Sequence, residues 1–285
     1  MQTLPPSIHP GERIEVLPAF RRVNAHLLEL LESLAPSDWT RPTVHKTRDV
    51  KDLVAHLVDG SMRRLSLQRD GWSGEKPRGI DSWQGLVDFI QAMNREWMTV
   101  ARRLSPRILI DLARRYDSEL VSLLEGIAPE APALFSVAWA GEASSLHWFD
   151  LAREYTEKWH HQQQLRDATG RPPLYAPDLL APVLETFARG LPHALRDAAA
   201  LEGAAVSVQV VGPVELGWTL CRSGGAWLLH RGVDPDADAA LTLEADHAWR
   251  LWTKGLSAEE ARAAVHTQGE AALTAPLLHF TAIMA

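Results

Sequence analysis

The chain has 285 residues, 46% of them hydrophobic and 23% charged, with 29 Lys and Arg against 36 Asp and Glu. That is enough apolar material for one large or two modest domains, and it excludes a disordered chain. A formal charge of −7 argues against nucleic acid as a partner, and no apolar run approaches the roughly 18 residues of a membrane span.

The N-terminal MQTLPPSIHPGER lacks a basic region followed by an apolar stretch, so no signal peptide is expected and the expected location is cytoplasmic. A single Cys, Cys221, stands beside 12 His. Neither a disulfide framework nor a thiolate-rich zinc site can be built from that, so any metal must be held by imidazole and carboxylate.

The first two thirds read as helices. Residues 12–34 carry Ile14, Leu17, Phe20, Val23, Leu27, Leu28 and Leu31 at steps of three and four, which marks one helical face. Thr47 suits the N-cap of a second helix with a buried row of Val50, Leu53, Val54, Leu57 and Val58. The glycines at 60, 71, 74 and 79 bracket a loop, and a third helix runs over about 82–104. Ser105-Pro106 starts a fourth that reaches Gly126. Residues 145–169 form a fifth, stopped by Gly170 and the prolines at 172 and 173, and 178–199 a further helix.

Near residue 202 the period changes from 3.6 to 2. Val206, Val208 and Val210 alternate with polar neighbours, as do Val214, Leu216, Trp218 and Leu220. Two more strands follow at 226–230 and 240–243, then a helix at 245–253 and another opened by a capping-box pair, Ser257 and Glu260. A short fifth strand near Thr267 and a final helix over 271–284 close a small α+β region.

The sharpest chemical pattern is REYTEKWHHQQQLRDATG, residues 153–170. Glu157 and His161 stand four apart, so on a helix they share a face and both can reach one divalent ion. Glu154 and Gln164 continue that row as hydrogen-bond partners for the ligands. A third ligand is wanted, and the second helix offers His56. The same residues also suit a solvated ion pair and a core histidine, and the pattern alone leaves these readings open. His160 points about 100° away from His161 and reads as surface, or as a partner of the ligands. Trp97, Trp148 and Trp159 could line an apolar pocket, although core is favoured. Arg222 and Arg231 follow strands and could hold a substrate or cofactor carboxylate, although solvated loop arginines are favoured.

SDWTRPTVHKTRDVKDLVAHLVDG resembles the opening of the DinB-like metal-binding fold in its mycothiol-dependent maleylpyruvate isomerase branch. The resemblance rests on Trp39, Arg41, Pro42 and Thr43, then Arg48-Asp49-Val50, then Ala55-His56-Leu57. EKWHHQQQLRDATGRP is similar to a later helix of the branch, where an acid-x3-His pair precedes Gln, an aliphatic residue, Arg and Gly-x-Pro. The resemblance implies a mainly α protein: a DinB-like four-helix bundle over 1–174, then a small α+β sterol-carrier-like domain over 175–285. It places the metal ligands on His56, Glu157 and His161. Where many relatives carry Pro-Gly-Trp this chain reads VHKTR, which brings His45 towards the site, and the Cys often found in that loop is missing.

A divalent ion so held, zinc ahead of nickel, implies an enzyme using a low-molecular-weight thiol of the mycothiol or bacillithiol type on a small electrophilic substrate. S-transfer and cis-trans isomerisation are the reactions implied, with metal-bound thiol or water in place of a catalytic side chain. The open alternatives are a metal-dependent hydrolase and a non-catalytic small-ligand-binding protein with a structural metal. The expected partners are the substrate and the thiol, with a homodimer admitted.

Overall fold

The computed structural model describes residues 6–9, 11–74 and 82–282. Two compact units emerge. One is built from Val16–Leu134 and Glu154–Leu174, the other from Met1–Glu15, Phe135–Arg153 and Tyr175–Ile283.

The first unit is helical. α1 (Leu17–Glu32) starts later than the periodicity implies, because Pro18 sits in its first turn, where a missing N–H costs nothing; Ile14 therefore precedes the helix. α2 (Val50–Arg64) is capped by Asp49 and not by Thr47, the Asp49 carboxylate accepting from the Asp52 N–H at 2.8 Å. Gly60 lies inside α2 and not in the loop, since the apolar row runs on through it and outweighs a glycine's cost of about 1 kcal/mol. Gly71 and Gly74 do turn the chain, both at positive φ, and Gly79 lies outside the described residues.

α3 (Trp83–Ala101) and α4 (Pro106–Glu125) follow, with Ser105 capping α4 as expected. α4 packs on α1 and α2, and α2 on α3. Between them lie Leu27, Leu31, Trp39, Leu53, Val54 and Leu109, each nearly solvent-free and each contributing about 1.5–3 kcal/mol if its burial is complete. Leu165 of α5 (His147–Thr169) joins this core.

The second unit carries a five-stranded sheet in the order β3-β2-β1-β4-β5. The strands are β1 (Ala205–Val211), β2 (Leu216–Ser223), β3 (Ala226–Arg231), β4 (Ala239–Glu244) and β5 (Val265–Gly269). β1 pairs parallel with β4 and antiparallel with β2, while β3 and β5 form the edges. The helix expected over 178–199 splits into α6 (Pro177–Ala188) and α7 (Leu191–Ala194), because Pro192 cannot continue α6. Gly190 lies between them, where a Cβ would stand 2.4 Å from Phe280.

α8 (Ala245–Trp252), α9 (Ala258–Ala264, with both capping-box bonds formed) and α10 (Ala271–Leu278) complete the unit. α10 stops short of the expected end, and Met284 lies outside the described residues. Trp139, Phe187, Trp252 and Phe280 meet through edge-to-face and tilted rings 6.2–6.4 Å apart. Among the described residues no helix is long and apolar enough to cross a membrane.

Candidate metal centre

α5 carries the functional side chains, and a buried polar network fixes its rotation. Residues 158–165 are buried without interruption, so the helix has no solvent face there. Lys158 Nζ donates to Asp117 Oδ1 at 2.6 Å, to Ser61 Oγ at 2.7 Å and to the Leu57 carbonyl at 3.1 Å. Ser61 also donates to the same carboxylate oxygen at 2.6 Å. Gln162 Nε2 donates to the Val23 carbonyl at 2.8 Å. α5 is thereby tied to α1, α2 and α4 by groups whose bonds are costly to break in a dry interior.

That rotation aims Glu157, His160 and His161 together. One ligand atom of each lies within 4.8 Å of the others. His161 Nε2 stands 3.5 Å from Glu157 Oε2, and its Nδ1 donates to Gln164 Oε1 at 2.8 Å. His56, on α2, meets the His161 ring edge-on with centroids 4.9 Å apart. His45, from the loop before α2, donates through Nε2 to the same Gln164 oxygen at 3.3 Å and lies 6.3 Å, ring to ring, from His161.

Three of these imidazoles are held neutral. Burial first, then the neighbouring His161 and Arg48, lower the His45 pKa to about 4, against the bond to Gln164. Burial and the neighbouring His161 push His160 down to about 3. His56 lies well below its ordinary value, mainly through burial and then through His161 and Arg48, with Glu157 opposing. Neutral imidazole is the form that ligates metal.

Of the two readings of His160, surface is the one that fails: the ring is 2% exposed and stands in the cluster. The 100° that separates it from His161 has Glu157 inside it: relative to Glu157, His160 turns by about −60° and His161 by about +40°. Comparing His160 with His161 alone hid this.

The mycothiol maleylpyruvate isomerase N-terminal domain family model matches residues 20–166. The chain belongs to that family. Crystal structures of the mycothiol-dependent maleylpyruvate isomerase and of a histidine-to-alanine mutant of it are each 14% identical to the chain, with TM-scores of 0.53. Each likeness covers 89% of this chain and 92% of theirs. At that identity the likeness is one of fold. No curated protein matches the chain.

The donors of this maleylpyruvate isomerase-family chain suit a divalent ion. They are one carboxylate and several imidazoles, and His56 Nδ1 is buried with no hydrogen-bond partner. An orphaned buried nitrogen costs roughly 1–3 kcal/mol, which a bound cation would relieve.

The remaining sequence candidates stand elsewhere. Glu154 lies 3.9 Å from buried Arg64 and is not among the clustered ligand atoms. Trp97 donates to the Ala55 carbonyl at 2.8 Å, so it braces the backbone next to His56. Trp159 is fully buried and donates to the Leu174 carbonyl at 3.3 Å. Trp148 stacks on Phe149 within the other unit.

Arg222 and Arg231 also belong to that unit, and both lie inside strands, not after them. Arg231 pairs with Glu12 and, at 2.7 Å, with Glu185, while Arg222 lies over the Trp227 ring at 5.9 Å. The buried Lys158–Asp117 pair escaped the sequence reading, since a lysine beside Trp159 carries no signal of what it will meet.

Proposed function

We propose that the chain is a divalent-metal- and thiol-dependent enzyme acting on a small electrophilic substrate, by S-transfer or by cis-trans isomerisation. The observation that carries this reading is the meeting of Glu157, His160 and His161 ligand atoms, with the His56 ring 4.9 Å from that of His161 and held neutral. A divalent ion here would be only partly neutralised by Glu157 and would favour thiolate over thiol at neutral pH.

Glu157 and His161 supply donors from one helix face. Gln164 keeps the His161 proton on Nδ1 and so leaves Nε2 free to bind. Burial of the cluster excludes water from most of its wall. Cys221 does not serve as the sulfur in this reading: it lies in β2, and burial and Asp234 raise its pKa, keeping it a thiol. A mycothiol- or bacillithiol-type cofactor would provide the sulfur. Its addition to an activated double bond forms a C–S bond and places a proton on the substrate. Rotation and elimination then return both thiol and proton, so isomerisation needs no further co-reactant. Zinc is the first metal to test, and the DinB-like bundle and sterol-carrier-like assignments belong to the same reading.

Metal analysis of untagged protein tests the site: about one divalent ion per chain is expected, lost in His56→Ala and in His161→Ala. Full occupancy in both variants would refute the ligand assignment. Incubation with candidate thiols and an electrophilic olefin should then give a metal-dependent adduct or isomer. Ester or amide hydrolysis without any thiol dependence would favour a hydrolase instead.

A further inference from the structure

The family resemblance assigns three ligands, His56, Glu157 and His161; His160 is not among them. Resting on the metal-centre reading above, we propose that His160 is a fourth protein ligand to the same ion.

Its position is set by two anchors. The helix places its side chain within about 60° of Glu157. Its Nδ1–H donates to the Thr156 carbonyl at 2.9 Å, which leaves Nε2 with a lone pair and no proton. The ring lies 4.0 Å from that of His161, centroid to centroid, and its ligand atom is among the three that stand within 4.8 Å of one another. A metal-binding imidazole characteristically donates its other N–H to a fixed acceptor, and Thr156 O is such an acceptor. At 2% exposure the ring has little water to turn towards. With His56 across from it, the set becomes three imidazoles and one carboxylate. The sulfur of the proposed reaction would then join four protein donors as a fifth, an expansion that catalytic zinc sites undergo in their transition states.

X-ray absorption at the zinc edge of the loaded full-length chain, with competition against a chromogenic chelator, tests this. Wild type should show three imidazoles. His160→Gln, which keeps much of the side-chain volume, should show two and bind zinc at least ~10-fold more weakly, the smallest loss expected even for an outer partner of a ligand. If that variant does not fold, His45→Gln separates the two sources of a third imidazole: three retained there assign it to His160, and two would assign it to His45. Two imidazoles in wild type, or three in His160→Gln with unchanged affinity, would overturn the His160 assignment and leave the three-ligand site standing. No zinc bound by wild type would overturn the site itself.

Discussion

Gln164 Oε1 accepts from His161 Nδ1 and from His45 Nε2, so one amide oxygen settles the tautomers of two rings. Glu157 and His161 were legible in the sequence because a four-residue spacing puts two side chains on one face whatever surrounds the helix. The part played by His45 was visible only as a departure from the family loop. That of His160 was hidden because helical angle was measured from the wrong neighbour. At this scale the pH response is set by the buried rings. His45, His56 and His160 have folded pKa values below the ordinary 6.5, two of them at about 4 and about 3. On acidification the unfolded chain therefore takes up these protons first. Their contribution to stability is fully present above pH 6.5 and drains away as pH falls through 6.5 towards 3–4. Metal-free protein melted at pH 7.5 and at pH 5 should show a lower midpoint at pH 5, and the gap should narrow in His45→Gln. An equal gap in that variant would remove His45 from the account.

At the scale of the element, α5 departs from the amphipathic pattern of α1 and α4. α1 and α2 announced their buried faces through apolar spacing, and Ser105-Pro106 announced where α4 begins. α5 buries Lys158, His160, Gln162 and Gln163 as fully as Trp159, so apolar periodicity carries no information about which way it faces. Its orientation comes from long-range polar bonds, above all Lys158 to Asp117, which no local pattern encodes. Both partners are almost solvent-free. Lys158→Met would strand the Asp117 charge and should cost about 3–5 kcal/mol in denaturant unfolding. The double variant Lys158→Met with Asp117→Leu should recover most of that loss. If the double variant is as unstable as the single one, the network is holding the helix by something other than charge pairing.

For the whole molecule, the switch from period 3.6 to period 2 near residue 202 located the sheet strands to within a few residues, since alternation follows directly from a half-buried pleat. The segment from Phe135 to Arg153 gave no such sign of belonging with the strands. Ion binding should register in the melting of the entire chain. A ligand bound only by the native state stabilises it by about 4 kcal/mol at a thousandfold excess over its dissociation constant. Zinc should therefore raise the midpoint of wild type and leave that of His161→Ala unmoved; a similar rise in both would place the ion elsewhere. The chain's division also orders events at the ribosome. Trp139 and Phe149 meet edge to face, and Trp139 further meets Phe187 and Phe280. The helical unit has all its described segments once Leu174 has emerged, whereas this aromatic group waits for roughly 110 more residues. At 5–20 residues per second that is on the order of ten seconds, during which Trp139 is already made and lacks its contact with Phe280.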